Sequence, residues 1–254
     1  MKQNFKVLVL LPIVALTACA NLGKEVDEKA VADYKAELAK QEEPKCLSFT
    51  MNLSGTTGKD KQASKSSYKM KQNAEGDKYF YTYSKNGDSE SKVEVYQVKN
   101  EQYEEVTWID YSSEAGKLTI AYAKKDNTRY NELTSEYVTS AGMAPSLFYL
   151  MVASPDGAGE MLEADEENAE TKFYSNGEAN LSMKITLKKA QEDPEEEEWA
   201  VSGNLTITYN NYRFASLDMS AKTNLGNSQS GKASASYDAV SLSLPSGWEK
   251  VLAK

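Results

Sequence analysis

The sequence predicts a mainly β (α+β) protein: an antiparallel sheet of about eleven strands, with an N-terminal helix in front and a helical insert after the sixth strand. Three observations lead there. Apolar and polar residues alternate with a period of two through most of 46–124 and again through 181–244. Short clusters of turn-forming residues separate the alternating runs and join neighbours as hairpins. Before the first stretch, and between the two, the spacing of apolar residues is helical instead.

The chain opens with Lys2 and Lys6, then the run Val7–Leu16, apolar apart from Pro12, then Leu16-Thr17-Ala18-Cys19. Such a run is too short for a finished transmembrane helix and has the layout of a secretory signal with small residues at its cleavage site. A thiol directly after that site can carry a thioether-linked diacylglycerol, and Leu-Thr-Ala-Cys resembles the lipobox of bacterial lipoproteins. The resemblance implies that residues 1–18 are a signal peptide and that Cys19 is the lipidation site. Residues 19–24 then form a lipidated tether, with 20–24 expected to be disordered, and 25–254 form a single domain.

From Ala20 to Pro44 a thin apolar stripe, Val26, Ala30, Tyr34 and Leu38, falls near helical spacing among charged residues, and Gln41-Glu42-Glu43-Pro44 ends it. Six strands follow. Their apolar residues include Phe49, Met51 and Leu53, then Tyr68 and Met70, then Tyr79, Tyr81 and Tyr83, then Val93 and Val95, with 103–110 and 117–124 completing the set. Turns are expected at Ala74–Asp77, Lys85–Asp88, Lys99–Glu101 and Ser113–Gly116, the Asn86-Gly87 pair being the strongest signal because both residues tolerate positive φ.

The pattern breaks at Asp126-Asn127-Thr128. Tyr130, Leu133 and Tyr137, and then Pro145 through Val152, read as helix jointed between Gly142 and Pro145. Leu147, Phe148, Leu150, Met151 and Val152 cover almost the whole circumference of the second piece, so it is expected to be deeply buried or to lie over something greasy. Ser154-Pro155-Asp156-Gly157 is expected to close it, with an acidic loop over 156–170. Strands resume with Leu181, Met183, Ile185 and Leu187, answered by Trp199, Val201, Leu205 and Ile207, then a turn over Tyr209–Tyr212. Phe214 is on one phase and Leu217 and Met219 are on the other, which predicts a bulge near Ala215 and Ser216. After a loop over 224–231, Tyr237–Leu244 is expected to be the last strand.

Composition narrows the chemistry. The 254 residues hold 29 Lys+Arg against 38 Asp+Glu, a net charge of −9, with 40% hydrophobic residues and no histidine. The acid excess argues against nucleic acid, and the lack of histidine excludes a Ser-His-Asp triad, a Cys-His dyad and His-ligated metal. Cys19 and Cys46 are the two cysteines. With Cys19 acylated, Cys46 has no partner and reads as a half-buried strand residue. Glu195–Glu198 is a run of adjacent acids, whereas calcium loops space their ligands, so it reads as a solvated hairpin tip. No cofactor, metal or catalytic residue is expected. The 16 tyrosines suit cross-strand pairs, or a carbohydrate- or protein-binding face.

A leading helix, a long meander, a helical insert after the sixth strand and a closing strand Tyr237–Leu244 running into Pro245 resemble the LolA/LolB-like half-barrel superfamily, which includes the LppX/LprG lipoproteins. The resemblance implies a strongly curved antiparallel sheet forming a half-barrel, with the N-terminal helix and the helical insert covering its concave face and acyl chains held on that side. Some members contact cargo through a cavity arginine; Arg129 and Arg213 are the arginines here, and neither lies in a matching motif. Two readings follow. One is a monomeric lipoprotein, anchored to the cell membrane or outer membrane on its extracytoplasmic side, that binds or carries a lipid or other hydrophobic ligand contacted by Leu147, Phe148 and Met151. The alternative is a non-enzymatic surface-interaction or structural lipoprotein whose half-barrel is filled by its own side chains.

Overall fold

The computed structural model describes residues 22–124, 131, 132, 137, 154–162, 169–187, 200–238, 240, 244–248 and 250. Within them the chain forms one open antiparallel sheet of twelve strands and two short helices. In order these are β1 Lys24–Glu25, α1 Glu28–Leu38, β2 Cys46–Thr57, β3 Asp60–Gln72, β4 Lys78–Asn86, β5 Ser89–Asn100, β6 Glu104–Ser113 and β7 Gly116–Ala123. Then follow α2 Pro155–Met161, β8 Ala169–Gly177, β9 Asn180–Leu187, β10 Ala200–Asn210, β11 Arg213–Thr223 and β12 Ser228–Ser236. The sheet order β1-β8-β9-β10-β11-β12-β2-β3-β4-β5-β6-β7 shows two meanders joined where β12 pairs with β2.

The register gives each strand one inward side. Leu181, Met183 and Ile185 on β9 sit opposite Tyr209, Ile207 and Leu205 on β10, and this row continues through Leu217 and Met219 on β11. On the far side of β12 it is taken up by Leu47, Phe49 and Met51, then Tyr68 and Met70. These residues form the main core with Tyr34 and Leu38 of α1 and with Ala158 and Leu162 at α2. The expected bulge is present: Thr208 pairs with Ser216 but Tyr209 pairs with Phe214, leaving Ala215 as the extra residue.

β12 lies at the seam between the two meanders. Its inward residues are Gly231, Ala233 and Ala235, so side chains from β11 and β2 converge above it. Phe49 and Phe214, two strands apart, bring their ring centroids to 6.3 Å. A Cβ at Gly231 would lie 2.6 Å from Leu53 and 2.7 Å from Met219.

Several expectations are corrected. α1 is shorter than 20–44: Asp27 caps it by accepting from Ala30 N (2.9 Å), and its buried stripe is Val31, Tyr34 and Leu38, with Val26 ahead of the helix. Lys24 is not tether, nor is Glu25 helix: both are strand, paired with Ser175 and Tyr174. Ser154-Pro155-Asp156-Gly157 starts a helix rather than closing one: Ser154 Oγ accepts from Gly157 N (3.1 Å) and Pro155 fills the first turn, where its missing N–H costs nothing. The last described strand is 228–236, which begins inside the expected 224–231 loop. Tyr237, Asp238, Val240 and Leu244 are not in a strand, and 241–243 lie outside the described residues. That removes the closing strand on which part of the family resemblance was built.

Turn chemistry also shifts. Asn86 pairs with Ser89, so the turn is Gly87-Asp88 and not Asn86-Gly87; only Gly87 has positive φ (+58°), the pattern of a type II′ turn. Between β10 and β11 the central residues are Asn211 and Tyr212, both left-handed (φ 51° and 54°) with no glycine. The conformation costs about 1–2 kcal/mol for an ordinary residue. Contacts hold it: Tyr212 N donates to Ala179 O (3.1 Å), its hydroxyl to Glu178 O (3.2 Å), and its ring lies 4.9 Å from that of Tyr34.

Candidate apolar site on the concave face

The inward row does not stop at the main core. Phe80, Val95, Ile109 and Ile120 face one another in sequence across β4 to β7, as do Val93, Tyr111 and Leu118 across β5 to β7. Val95 and Ile109 are fully buried and centre a second, smaller cluster with Phe80, Val93, Ile120, Tyr122 and Tyr137. α1 and α2 belong to the first cluster. Over β4–β7 the described contribution from the 125–153 insert is Tyr137, whose ring lies 5.9 Å from Tyr111. On the same face of β6, Thr107 is 2% exposed, and its Oγ1 finds no hydrogen-bond partner among the described residues. This part of the interior is therefore apolar with one unsatisfied hydroxyl.

Cys19 lies outside the described residues, as do Leu147, Phe148 and Met151, Arg129 and the acidic run 195–198. Arg213 is not in an apolar cavity: its Nη1 donates to Glu42 O (3.3 Å) and its guanidinium stacks 5.3 Å from the Tyr237 ring. Cys46 is a linchpin for the chain after β12, since its Sγ donates to Asp238 O (2.8 Å) and accepts from Val240 N (3.1 Å). Among the described residues no group of three or more His, Cys, Asp or Glu is placed to hold a metal, and no helix is long and apolar enough to cross a membrane.

The tyrosines of β4 point the other way. Tyr79 pairs with Tyr96 and Tyr96 with Trp108, an aromatic row on the convex side, with the first two rings 4.7 Å apart. Polar groups tie the row down. Tyr79 donates to Glu94 (3.0 Å), while Trp108 Nε1 and Thr119 Oγ1 both donate to Asp110 (2.8 and 2.7 Å). Lys69 and Lys92 flank the Tyr81 ring at 5.1 and 5.7 Å. β6 is thus buried on both faces, Val106 and Trp108 outward and Thr107 and Ile109 inward. Alternation in the sequence marks Tyr79, Tyr81 and Tyr83 as one face, but only the register brings Tyr96 and Trp108 beside them.

Burial raises the pKa of seven of the described phenols, Tyr81 and Tyr96 of the convex row among them. Tyr68 is pushed up to about 12 by burial, and so is Tyr237, where burial outweighs the lowering by Arg213. Tyr34, Tyr79 and Tyr209 are raised further, burial being the main cause in each.

Two open depressions lie among the described residues, the first on the same face as the apolar row, where Ser84, Ser91 and Ser113 face one another two residues beyond Thr82, Val93 and Tyr111. One of about 360 Å³ sits between the β4–β5 and β6–β7 hairpins, with Ser84, Asn86, Glu90 and Ser113 on its walls. The other, about 160 Å³, lies against β8–β10 beside Tyr174, Asn180 and Thr208. Both are open and lined mainly by Ser, Asn, Thr and Glu residues rather than by large apolar side chains, which does not suit an acyl chain.

No protein-family profile matches the chain, and no curated protein does. Among solved structures it is similar to a DUF1329 family protein from Desulfovibrio piger, at 13% identity over 85% of this chain and 94% of that one, with a TM-score of 0.28. The class rests on the ladder itself: a mainly β protein built on one open, twelve-stranded antiparallel sheet, with helices packed against its inward face.

Proposed function

We propose that this chain is a LolA/LolB-like, lipid-anchored extracytoplasmic lipoprotein, not an enzyme, which holds a lipid or other hydrophobic ligand between β4–β7 and the 125–153 insert. The observation that carries the reading is the division of the interior. α1 and α2 fill the half formed by β8–β12, β2 and β3, whereas the apolar row runs on through Phe80, Val95, Ile109 and Ile120. A polypeptide segment as apolar as 145–152 suits a surface shared with acyl chains. Anchoring at Cys19 follows from the Leu16–Cys19 motif.

The test is uptake of a fluorescent fatty acid or phospholipid by a soluble form that begins at Leu22, repeated with Phe148→Trp as an internal reporter. Saturable binding, with indole emission that changes along a series of acyl-chain lengths, is the expected outcome. An absence of saturable binding together with constant indole emission leaves the filled-core interaction lipoprotein in its place, a reading favoured by the packed interior under β8–β12.

A further inference from the structure

We propose that the protein stands on the bilayer in one orientation, with the end of the sheet that carries the β8–β9 and β10–β11 turns held against the lipid headgroups. This rests on the Cys19 anchor proposed above. Its physical basis is the shortness of the free chain. Gly23 has a φ of +89°, and a Cβ there would lie 2.1 Å from Ser175 O, so only glycine lets the two backbones meet. Lys24 and Glu25 pair with Ser175 and Tyr174, and Val26 N donates to Phe173 O (2.9 Å). Between Cys19 and Leu22 there are three residue steps, which span at most about 11 Å when fully extended. A long flexible linker would let the domain turn freely; a leash of this length does not.

The ladder fixes which end faces the membrane. Starting from Lys24 opposite Ser175, one end is followed through Gly177–Asn180, Asn210–Arg213, Ser236–Ser48, Gln72–Lys78 and Asn100–Glu104. The turns at Glu178–Ala179 and Asn211–Tyr212 and the tip around Glu75 lie at this end, and so does Lys124, from which the 125–153 insert departs. The turns at Gly58–Lys59, Gly87–Asp88 and Glu114–Ala115 lie at the other. β3 alone has 13 residues, which separates the two ends by about 40 Å. Headgroups occupy only several ångströms beyond the hydrocarbon, so the two ends differ sharply in their distance from lipid. The root of the insert is then on the lipid side.

The experiment uses the full-length lipoprotein reconstituted in phosphatidylcholine vesicles that contain a headgroup-nitroxide lipid. Single fluorophores are placed through Ala179→Cys, Glu75→Cys, Lys59→Cys or Ala115→Cys, each in a Cys46→Ser background. Labels at 179 and 75 are expected to be quenched several-fold more than those at 59 and 115. Inserting ten Gly/Ser residues between Cys19 and Leu22 is expected to erase the contrast. Equal quenching at both ends in protein that co-floats with the vesicles overturns the orientation while leaving the anchor intact. Protein that fails to float, with Cys19 unmodified by mass spectrometry, overturns the anchor and the orientation with it.

Discussion

Thr107 makes the sharpest residue-scale case, because a buried hydroxyl without a partner carries its desolvation cost uncompensated. Leaving such a group unsatisfied costs about 1–3 kcal/mol. Thr107 is 2% exposed on the inward face of β6 and its Oγ1 has no partner among the described residues. Thr107→Val keeps the shape and the β-branching and removes the hydroxyl, so it is expected to raise stability by about 1 kcal/mol, seen as a higher urea midpoint with an unchanged slope. A lower midpoint would mean that the hydroxyl is engaged and that the account is wrong. Cys46 is the contrasting case, a thiol used as both donor and acceptor, whose value lies in holding Asp238 and Val240 against the start of β2.

At the scale of the element, legibility followed side-chain size. β9 and β10 were readable because Leu181, Met183, Ile185, Leu205 and Ile207 are large and strictly alternate, and the bulge at Ala215 was readable because Phe214 and Leu217 are out of phase. β12 was not. Its inward positions are Gly231, Ala233 and Ala235, kept small because Leu53, Met219, Phe49 and Phe214 occupy the space above them. Such a strand carries no apolar period for a reader to find. α2 was missed because Ser-Pro-Asp-Gly serves equally as a turn and as a helix start, and β1 because two residues have no period. Of the candidate site, the apolar face of β5 was legible, but the fact that the tyrosines of β4 look outward depends on which strand lies beside which. The assigned face of β9 has a direct check. Ile185 is 6% exposed and faces the core, whereas Lys184 lies on the other side, opposite Lys172. Ile185→Asp is expected to cost several kcal/mol, a large share of the roughly 5–15 kcal/mol that holds a domain folded. Lys184→Asp, which replaces one of two facing like charges, is expected to stay within about 0.5 kcal/mol. Equal losses in chemical denaturation would refute the face.

For the whole molecule, the five most strongly raised phenols, on α1, β3, β4, β10 and just after β12, tie stability to alkaline pH. An unfolded tyrosine titrates near 10.0, whereas Tyr68 and Tyr237 titrate at about 12 in the fold and Tyr34, Tyr79 and Tyr209 higher still. A phenol whose folded pKa lies above its unfolded one contributes stability that is fully present below about pH 10 and is lost as pH rises from there through the folded value. Denaturation midpoints are therefore expected to fall steeply across about pH 10–12, with phenolate absorbance and loss of structure rising together. Tyr68→Phe should make that fall shallower. Full phenolate absorbance near pH 10 from an intact fold would contradict it. The seam between the meanders has a consequence in time. β2 receives its outer partner from residues 228–236, well over a hundred positions downstream, and a contact that closes so long a loop carries a large entropic cost before it is rewarded. During synthesis the β2–β7 meander is complete long before β12 emerges. Until then one of its flanks is a row of unmatched backbone donors and acceptors, open to any neighbouring strand. The last strand to arrive is thus the one that makes the first half safe from its own kind.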